Sequence, residues 1–259
     1  MELKISDIDD AKKLMNLALY AGSLLISNGA ESYRAEDTVE RICLSCQEID
    51  SVDCYALPTA IFLKLKYKDE FINNFKKIKV SDINLGKIDL INNFSRNFSK
   101  NIYDLDKAYE ELKSIENKGD RQYQKIIAGG IAASFFTVLF GGGLKDFFPS
   151  FIIGMIISYF VDYLYRFNMS FFINNAIASL VSAVLAISAV KLGLGNDFDK
   201  IIIGVIMLIV PGVAITNALR DIMSGEFITG AITLIKAVFI ALAIAIGAGF
   251  GLKFMRMML

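Results

Sequence analysis

The chain of 259 residues carries 27 basic and 27 acidic side chains, no histidine, and a hydrophobic fraction of 54%. Interleaved charges that sum to zero give no single-sign surface, which excludes nucleic acid as the expected partner. Without histidine, the commonest metal ligand and general base are missing, so any proton relay must run through carboxylates, lysine, tyrosine or water.

Forty of the 54 charged residues precede Ile126, so a polar half is followed by an apolar one. The polar half, residues 1–123, reads as a cytoplasmic α+β domain. Met1 to Asp10 is acidic and no apolar segment follows it before the polar domain, so no signal peptide is expected. Ala11 to Ile26 sets Leu14, Leu17, Ala18, Ala21 and Leu25 at helical spacing, with Asn28-Gly29 as the stop. A second helix is expected from about Glu31 to Gln47. Within it Arg34 is spaced to reach Glu31 and Asp37, pairs worth only about 0.2–0.5 kcal/mol each on a solvated helix. Cys43-x-x-Cys46 has metal or redox spacing. Cys54 is the single further thiol, short of the four ligands of a structural zinc site, so the cysteines read as core residues, with no metal and no other cofactor. Val52, Cys54 and Ala56 alternate, Pro58-Thr59 interrupts, and Ala60 to Tyr67 resumes, which predicts two paired strands. Lys76 to Val80 is expected as a further strand. Leu85 to Phe98 and Leu105 to Ile115 return to helical spacing, and Gly119-Asp120 makes a hinge. About 120 residues suffice to bury a core of their own.

The apolar half, residues 124–259, reads as an all-α membrane domain of five transmembrane helices, at about 124–144, 147–165, 169–190, 200–219 and 228–252. Each approaches the roughly 20 apolar residues that a bilayer core requires. Pro149 falls at the start of the second span, where a proline costs no hydrogen bond. Nineteen of the lysines and arginines precede the first span, which predicts a cytoplasmic N-terminus. Asp162 is spaced to pair with Arg166. Lys236 lies two to three turns into the last span, where an ammonium needs a partner or water. Gly129-Gly130, Gly141-Gly142-Gly143, Gly247, Gly249 and Gly251 permit close helix approach.

Pro211-Gly212 interrupts the fourth span, and freed carbonyls at membrane depth persist only where protein or water receives them. Broken helices of this kind build midplane substrate sites in transporters. Thr216, Asn217, Arg220 and Asp221 follow within three turns and suit a zwitterion or a carboxylate. The alternative is that Arg220 and Asp221 mark the membrane interface.

Asn28-Gly29-Ala30-Glu31-Ser32-Tyr33-Arg34-Ala35-Glu36-Asp37-Thr38, then Pro58-Thr59 between two strands, then Pro211-Gly212 with Thr216-Asn217-Ala218-Leu219-Arg220-Asp221 and Ser224-Gly225, together resemble the threonine/serine exporter family. The resemblance covers essentially the whole chain. It implies a secondary transporter rather than an enzyme, exporting small amino acids, or dicarboxylates such as succinate, across the cytoplasmic membrane by way of the membrane potential or a proton gradient. It implies also that this chain resembles the larger subunit of a split form, working in the lipid bilayer as an oligomer with a smaller all-membrane partner. Candidate transport residues are Pro211, Gly212, Thr216, Asn217, Arg220, Asp221, Asp162 and Lys236. Signature positions in the polar half are Gly29, Ala30, Glu31, Tyr33, Arg34, Glu36, Asp37, Pro58 and Thr59. Lys236 stands where a carboxylate is expected in many relatives, which argues against a proton carrier there. Two other readings stay open: a structural or regulatory subunit that completes a partner's pore, and a membrane-tethered enzyme, which lacks a nucleophile-base pair.

Overall fold

A computed structural model of the chain describes residues 5, 7–79, 83–100, 104–119, 122–165, 167 and 169–257. In chain order these form α1 (Ile8–Ser27), α2 (Ser32–Cys43), β1 (Ile49–Leu57), β2 (Ala60–Tyr67), β3 (Glu70–Lys77), α3 (Leu85–Phe98) and α4 (Leu105–Glu116). Then come α5 (Gln122–Leu139), α6 (Leu144–Tyr165), α7 (Phe171–Lys191), α8 (Phe198–Ile206), α9 (Gly212–Met223) and α10 (Phe227–Met257). Contacts divide the chain into two compact units, Met1–Gly119 with Val213–Leu234 and Asp120–Gly212 with Ile235–Leu259.

In the first unit, α1 starts at Asp7, whose carboxylate accepts the Asp10 amide at 2.8 Å. It stops at Asn28-Gly29. Gly29 takes φ 89°, a conformation that costs glycine no steric penalty, and the Ala30 amide bonds back to the Leu25 carbonyl at 3.0 Å. Every residue from Leu17 to Ile26 is buried, so α1 is the central helix of this core. The sheet is antiparallel with order β1-β2-β3, and Ile61, Leu63 and Leu65 point into the core while Phe62 and Lys64 alternate outward.

Pro58-Thr59 forms the turn of the first hairpin, between Leu57 and its partner Ala60. The third strand differs from the expected Lys76 to Val80. It runs from Glu70 after a turn at Lys68-Asp69, and Val80 lies outside the described residues. Its residues are exposed or half-exposed throughout, so no buried alternation marked it in the sequence. Likewise α2 ends at Cys43, not Gln47, because the chain must turn before Ile49 enters β1. Cys43 and Cys46 sit in the core as buried thiols, and burial pushes the Cys46 thiol up to about 11.

In the second unit the expectation of five membrane spans is overturned. Among the described residues, three helices are long and apolar enough to cross a membrane: Leu144–Tyr165, Phe171–Lys191 and Phe227–Met257. The expected first span becomes α5, 18 residues that open on Gln122-Tyr123-Gln124-Lys125 and end at Leu139. The expected fourth span becomes two helices, α8 of 9 residues and α9 of 12, parted at Met207–Pro211. At about 1.5 Å per residue neither approaches a hydrocarbon core of about 30 Å. From Val213 onward, moreover, α9 belongs to the first unit. Among the described residues the fold is therefore an α+β unit and a helical unit, with three helices of membrane-crossing length.

The second unit packs through small residues. A Cβ on Gly154 of α6 would lie 2.6 Å from the Ala133 Cβ and 2.9 Å from the Gly129 carbonyl oxygen, both on α5. Because α6 begins at Leu144, Pro149 falls in its second turn rather than at a helix start. Asp146, which no spacing singled out, is 1% exposed. Its carboxylate accepts the backbone amides of Gly143 at 2.9 Å, Asn196 at 2.6 Å and Asp197 at 3.0 Å, which ties the loop before α6 to the loop before α8.

Candidate functional site

The two polar constellations of the sequence, nearly 190 residues apart, meet in the first unit. The reason is local at each end. Gly29 closes α1 and turns the chain at once into α2, which leaves the Gly29 carbonyl and the first amides of α2 facing outward from a tight corner. Glu31 is the N-cap residue of α2, yet its side chain makes no capping hydrogen bond. Asp221 of α9 supplies that cap instead. Its carboxylate accepts the Ser32 amide at 3.1 Å, with the Tyr33 amide also bonded to it, where the helix dipole favours negative charge.

Two more contacts complete the junction. The Asn217 carboxamide donates to the Gly29 carbonyl at 2.8 Å, and the Arg220 guanidinium donates to Glu31 at 2.7 Å. Glu31 therefore sits between Arg220 and Arg34, the latter at 3.3 Å, with its own side chain 5% exposed. Asn217 and Asp221 lie one turn apart on α9 with Ala218 between them, so one stripe of the helix faces α2.

A second layer flanks the first. Glu36 accepts the Ala56 amide at 2.6 Å, and the Thr229 hydroxyl donates to the Ala56 carbonyl at 3.1 Å. Gly225 makes the corner between α9 and α10, with φ 98° and the Glu226 amide bonded to the Asp221 carbonyl at 2.8 Å. Gly230 then lets the start of α10 lie against α9, since a Cβ there would stand 2.7 Å from the Ala218 carbonyl oxygen.

The electrostatics follow from burial. It pushes Glu36 up to about 7, with Glu226, Glu40 and Asp221 adding repulsion and the Ala56 amide opposing. It likewise pushes Asp221, 3% exposed, up to about 6, against the Ser32 and Tyr33 amides and with Glu31 and Glu226 adding to the rise. Burial pushes Glu31 upward too, but its backbone amide, Arg220 and Arg34 outweigh that and hold it below the ordinary carboxylate value. The junction thus contains two carboxyls raised above the ordinary carboxylate value beside one held below it.

The remaining sequence candidates are dispersed. Arg34 pairs with Glu31, whereas Asp37 pairs with Arg41. Tyr33 is half-buried, and Ala30 packs against the core of the first unit. Thr59 accepts the Ile78 amide at 2.8 Å next to Pro58. Pro211 precedes α9, and the Gly212 amide bonds to the Val210 carbonyl at 2.8 Å. Thr216 is exposed. Asp162 pairs with Lys125 at 2.8 Å, and its expected partner Arg166 lies outside the described residues. Lys236 sits over the Phe171 ring, 5.7 Å from its centroid. No group of three or more potential metal ligands occurs among the described residues.

Comparison with known proteins adds the family. An uncharacterized protein of Schizosaccharomyces pombe is 22% identical over 235 residues, which is 86% of this chain and 28% of that protein, so the chain spans under a third of the relative's length. No solved structure matches. The family profile described as "Putative threonine/serine exporter" matches residues 16–255, a span that includes both halves of the interlocked junction and nearly all of the three long apolar helices. The chain belongs to the threonine/serine exporter family.

Proposed function

We propose that the chain is a secondary transporter subunit that exports small amino acids of the threonine and serine type, or dicarboxylates, across the cytoplasmic membrane. The observation that carries this reading is the junction itself. The segment that follows the Pro211-Gly212 break is fastened by Asn217, Arg220 and Asp221 to the first turn of α2, and the same fastened region leads directly into α10, a helix of membrane-crossing length. Such a joint suits a carrier, because movement of a membrane helix has a defined mechanical connection to a soluble unit on the N-terminal, cytoplasmic side.

In this reading Asn217, Arg220 and Asp221 serve as joint residues, since each bonds to the segment from Gly29 to Ser32. Transport is coupled to the membrane potential or the proton gradient. A smaller membrane subunit covers part of the apolar surface of α10, along which Val238, Phe239, Leu242, Ile246, Phe250 and Phe254 are exposed. The test is reconstitution of the chain, with and without a candidate small subunit, in liposomes loaded with labelled L-threonine, L-serine or succinate under an imposed potential or pH gradient. Efflux above protein-free liposomes is the expected result. Folded protein that moves none of the three under either gradient would sink the proposal.

A further inference from the structure

Buried polar groups on α7 keep close account of their hydrogen bonds. Asn175 donates to the Phe171 carbonyl at 2.7 Å, Ser179 to the Ile244 carbonyl of α10 at 2.7 Å, and Ser182 to the Ala178 carbonyl at 2.7 Å. Asn174 breaks the pattern. It is 2% exposed, and among the described residues neither its amide nitrogen nor its carbonyl oxygen has a hydrogen-bond partner. A buried carboxamide with both ends open is rare, because its lost hydration is not replaced, and each such group calls for an explanation. Since both ends are open, the assignment of oxygen and nitrogen within the amide does not alter this.

Lys236 of α10 presents the complementary problem. It is half-buried within a helix of membrane-crossing length, and its contact is the Phe171 ring at 5.7 Å. Among the described residues no carboxylate forms a salt bridge with it. Phe171 and Asn174 stand three residues apart at the start of α7, so the ammonium meets α7 one turn before the open carboxamide. Both groups belong to the second unit.

We infer that Lys236 and Asn174 form the site that receives the carboxylate of the transported solute, with Phe171 holding the lysine in place. This rests on the transport reading above. An ammonium and an amide N–H are the donors a carboxylate needs, and the Asn174 carbonyl oxygen remains to accept an α-ammonium or a side-chain hydroxyl. Free threonine and serine carry all three groups, and a dicarboxylate uses the donors alone. In hydrocarbon the pairing gains strength from the low dielectric that makes the empty site unfavourable. The ammonium could also attract a lipid phosphate, but the full burial of Asn174 favours a small solute over a headgroup at the bilayer rim.

The experiment measures binding and transport separately on the full chain. Equilibrium binding of labelled L-threonine, L-serine and succinate is measured in phosphatidylcholine nanodiscs with and without phosphatidylglycerol, and KM is measured in liposomes. Lys236→Gln and Asn174→Val should each weaken binding and raise KM at least tenfold, Lys236→Arg should stay within about threefold, and the exposed Lys253→Gln serves as control. Asn174→Ser, a smaller change that keeps one polar group, covers the case in which the valine variant does not fold, and should lie between wild type and valine. Unaltered binding in both Lys236→Gln and Asn174→Ser overturns the site while leaving the transport reading intact if flux persists. A loss confined to membranes with anionic lipid assigns Lys236 to a phosphate and also overturns it. A wild-type chain that neither binds nor moves any of the three solutes overturns both readings.

Discussion

The junction of the first unit and the long helices of the second treat their polar groups differently. In the first, the charges of the junction are matched: Asp221 caps α2, Arg220 and Arg34 flank Glu31, and Asn217 holds the Gly29 carbonyl. In the second, a lysine and an asparagine on helices of membrane-crossing length are left without such partners. The cores of the two units differ as well. Leu14, Met15, Leu17, Ile91 and Phe94 fill the first, whereas in the second Ala133, Ala183, Ala186 and close glycines stand among Ile153, Ile157, Ile201 and Val205. Water drives large apolar side chains together, but lipid does not, so helices in hydrocarbon associate by close backbone approach and by polar contacts.

The largest expected effect tests the packing side of this contrast. Gly154→Leu would drive a side chain into Ala133 and the Gly129 backbone, and should destabilise the second unit by about 3 kcal/mol. Loss of the monodisperse peak on detergent gel filtration, with a lower melting temperature, would register it. A variant as stable as wild type would show that close backbone approach is not what holds α5 against α6.

Asp221→Ala comes next. It leaves the first amides of α2 without their acceptor and should cost about 1–2 kcal/mol, read as faster hydrogen exchange at Ser32 to Ala35. The same exchange should depend on pH. Glu36 near 7 and Asp221 near 6 both lie above ordinary carboxyl values, so the docked junction holds protons that the undocked chain would release. Their contribution is complete below about pH 4, the ordinary carboxyl range, and is lost as pH rises through 6 to 7. Protection, corrected for intrinsic exchange, should therefore fall between pH 5.5 and 7.5, and Glu36→Gln should flatten the curve. Glu31 acts with the opposite sign, stabilising above its ordinary value and ceasing to do so at lower pH. A wild-type curve that is flat between pH 5.5 and 7.5 would remove proton binding from the junction.

Arg220→Ala should have the smallest effect, under about 1 kcal/mol, because its side chain is 58% exposed and water screens the pair with Glu31. Urea midpoints that fall further than those of Asp221→Ala would place the strength of the joint in the ion pair rather than in the cap.

Much of the first unit is legible in the residues because water enforces periodicity. Helices α3 and α4 lie where their apolar spacing places them, and Asn28-Gly29 and Pro58-Thr59 turn the chain by rules that act within a few residues. The second unit is less legible. An apolar stretch reads as a span whatever it packs against, so 124–144 and 200–219 resembled spans although α5 opens on polar residues and the second stretch breaks at Met207–Pro211. Asp146 and Asn174 lacked any spacing signal, since backbone amides far along the chain and an unfilled carboxamide leave no trace in periodicity.

By itself the sequence determined the division into a charged and an apolar half and the Pro211-Gly212 break, because each depends on composition or on near neighbours, and it determined family membership, because that is read along residues 16–255. Tertiary structure alone decided that α9 belongs with the first unit, that Asp221 caps a helix nearly 190 residues earlier, and that Asn174 is buried with nothing to bond. Those outcomes depend on which groups remain unsatisfied after packing, a property of the assembled chain.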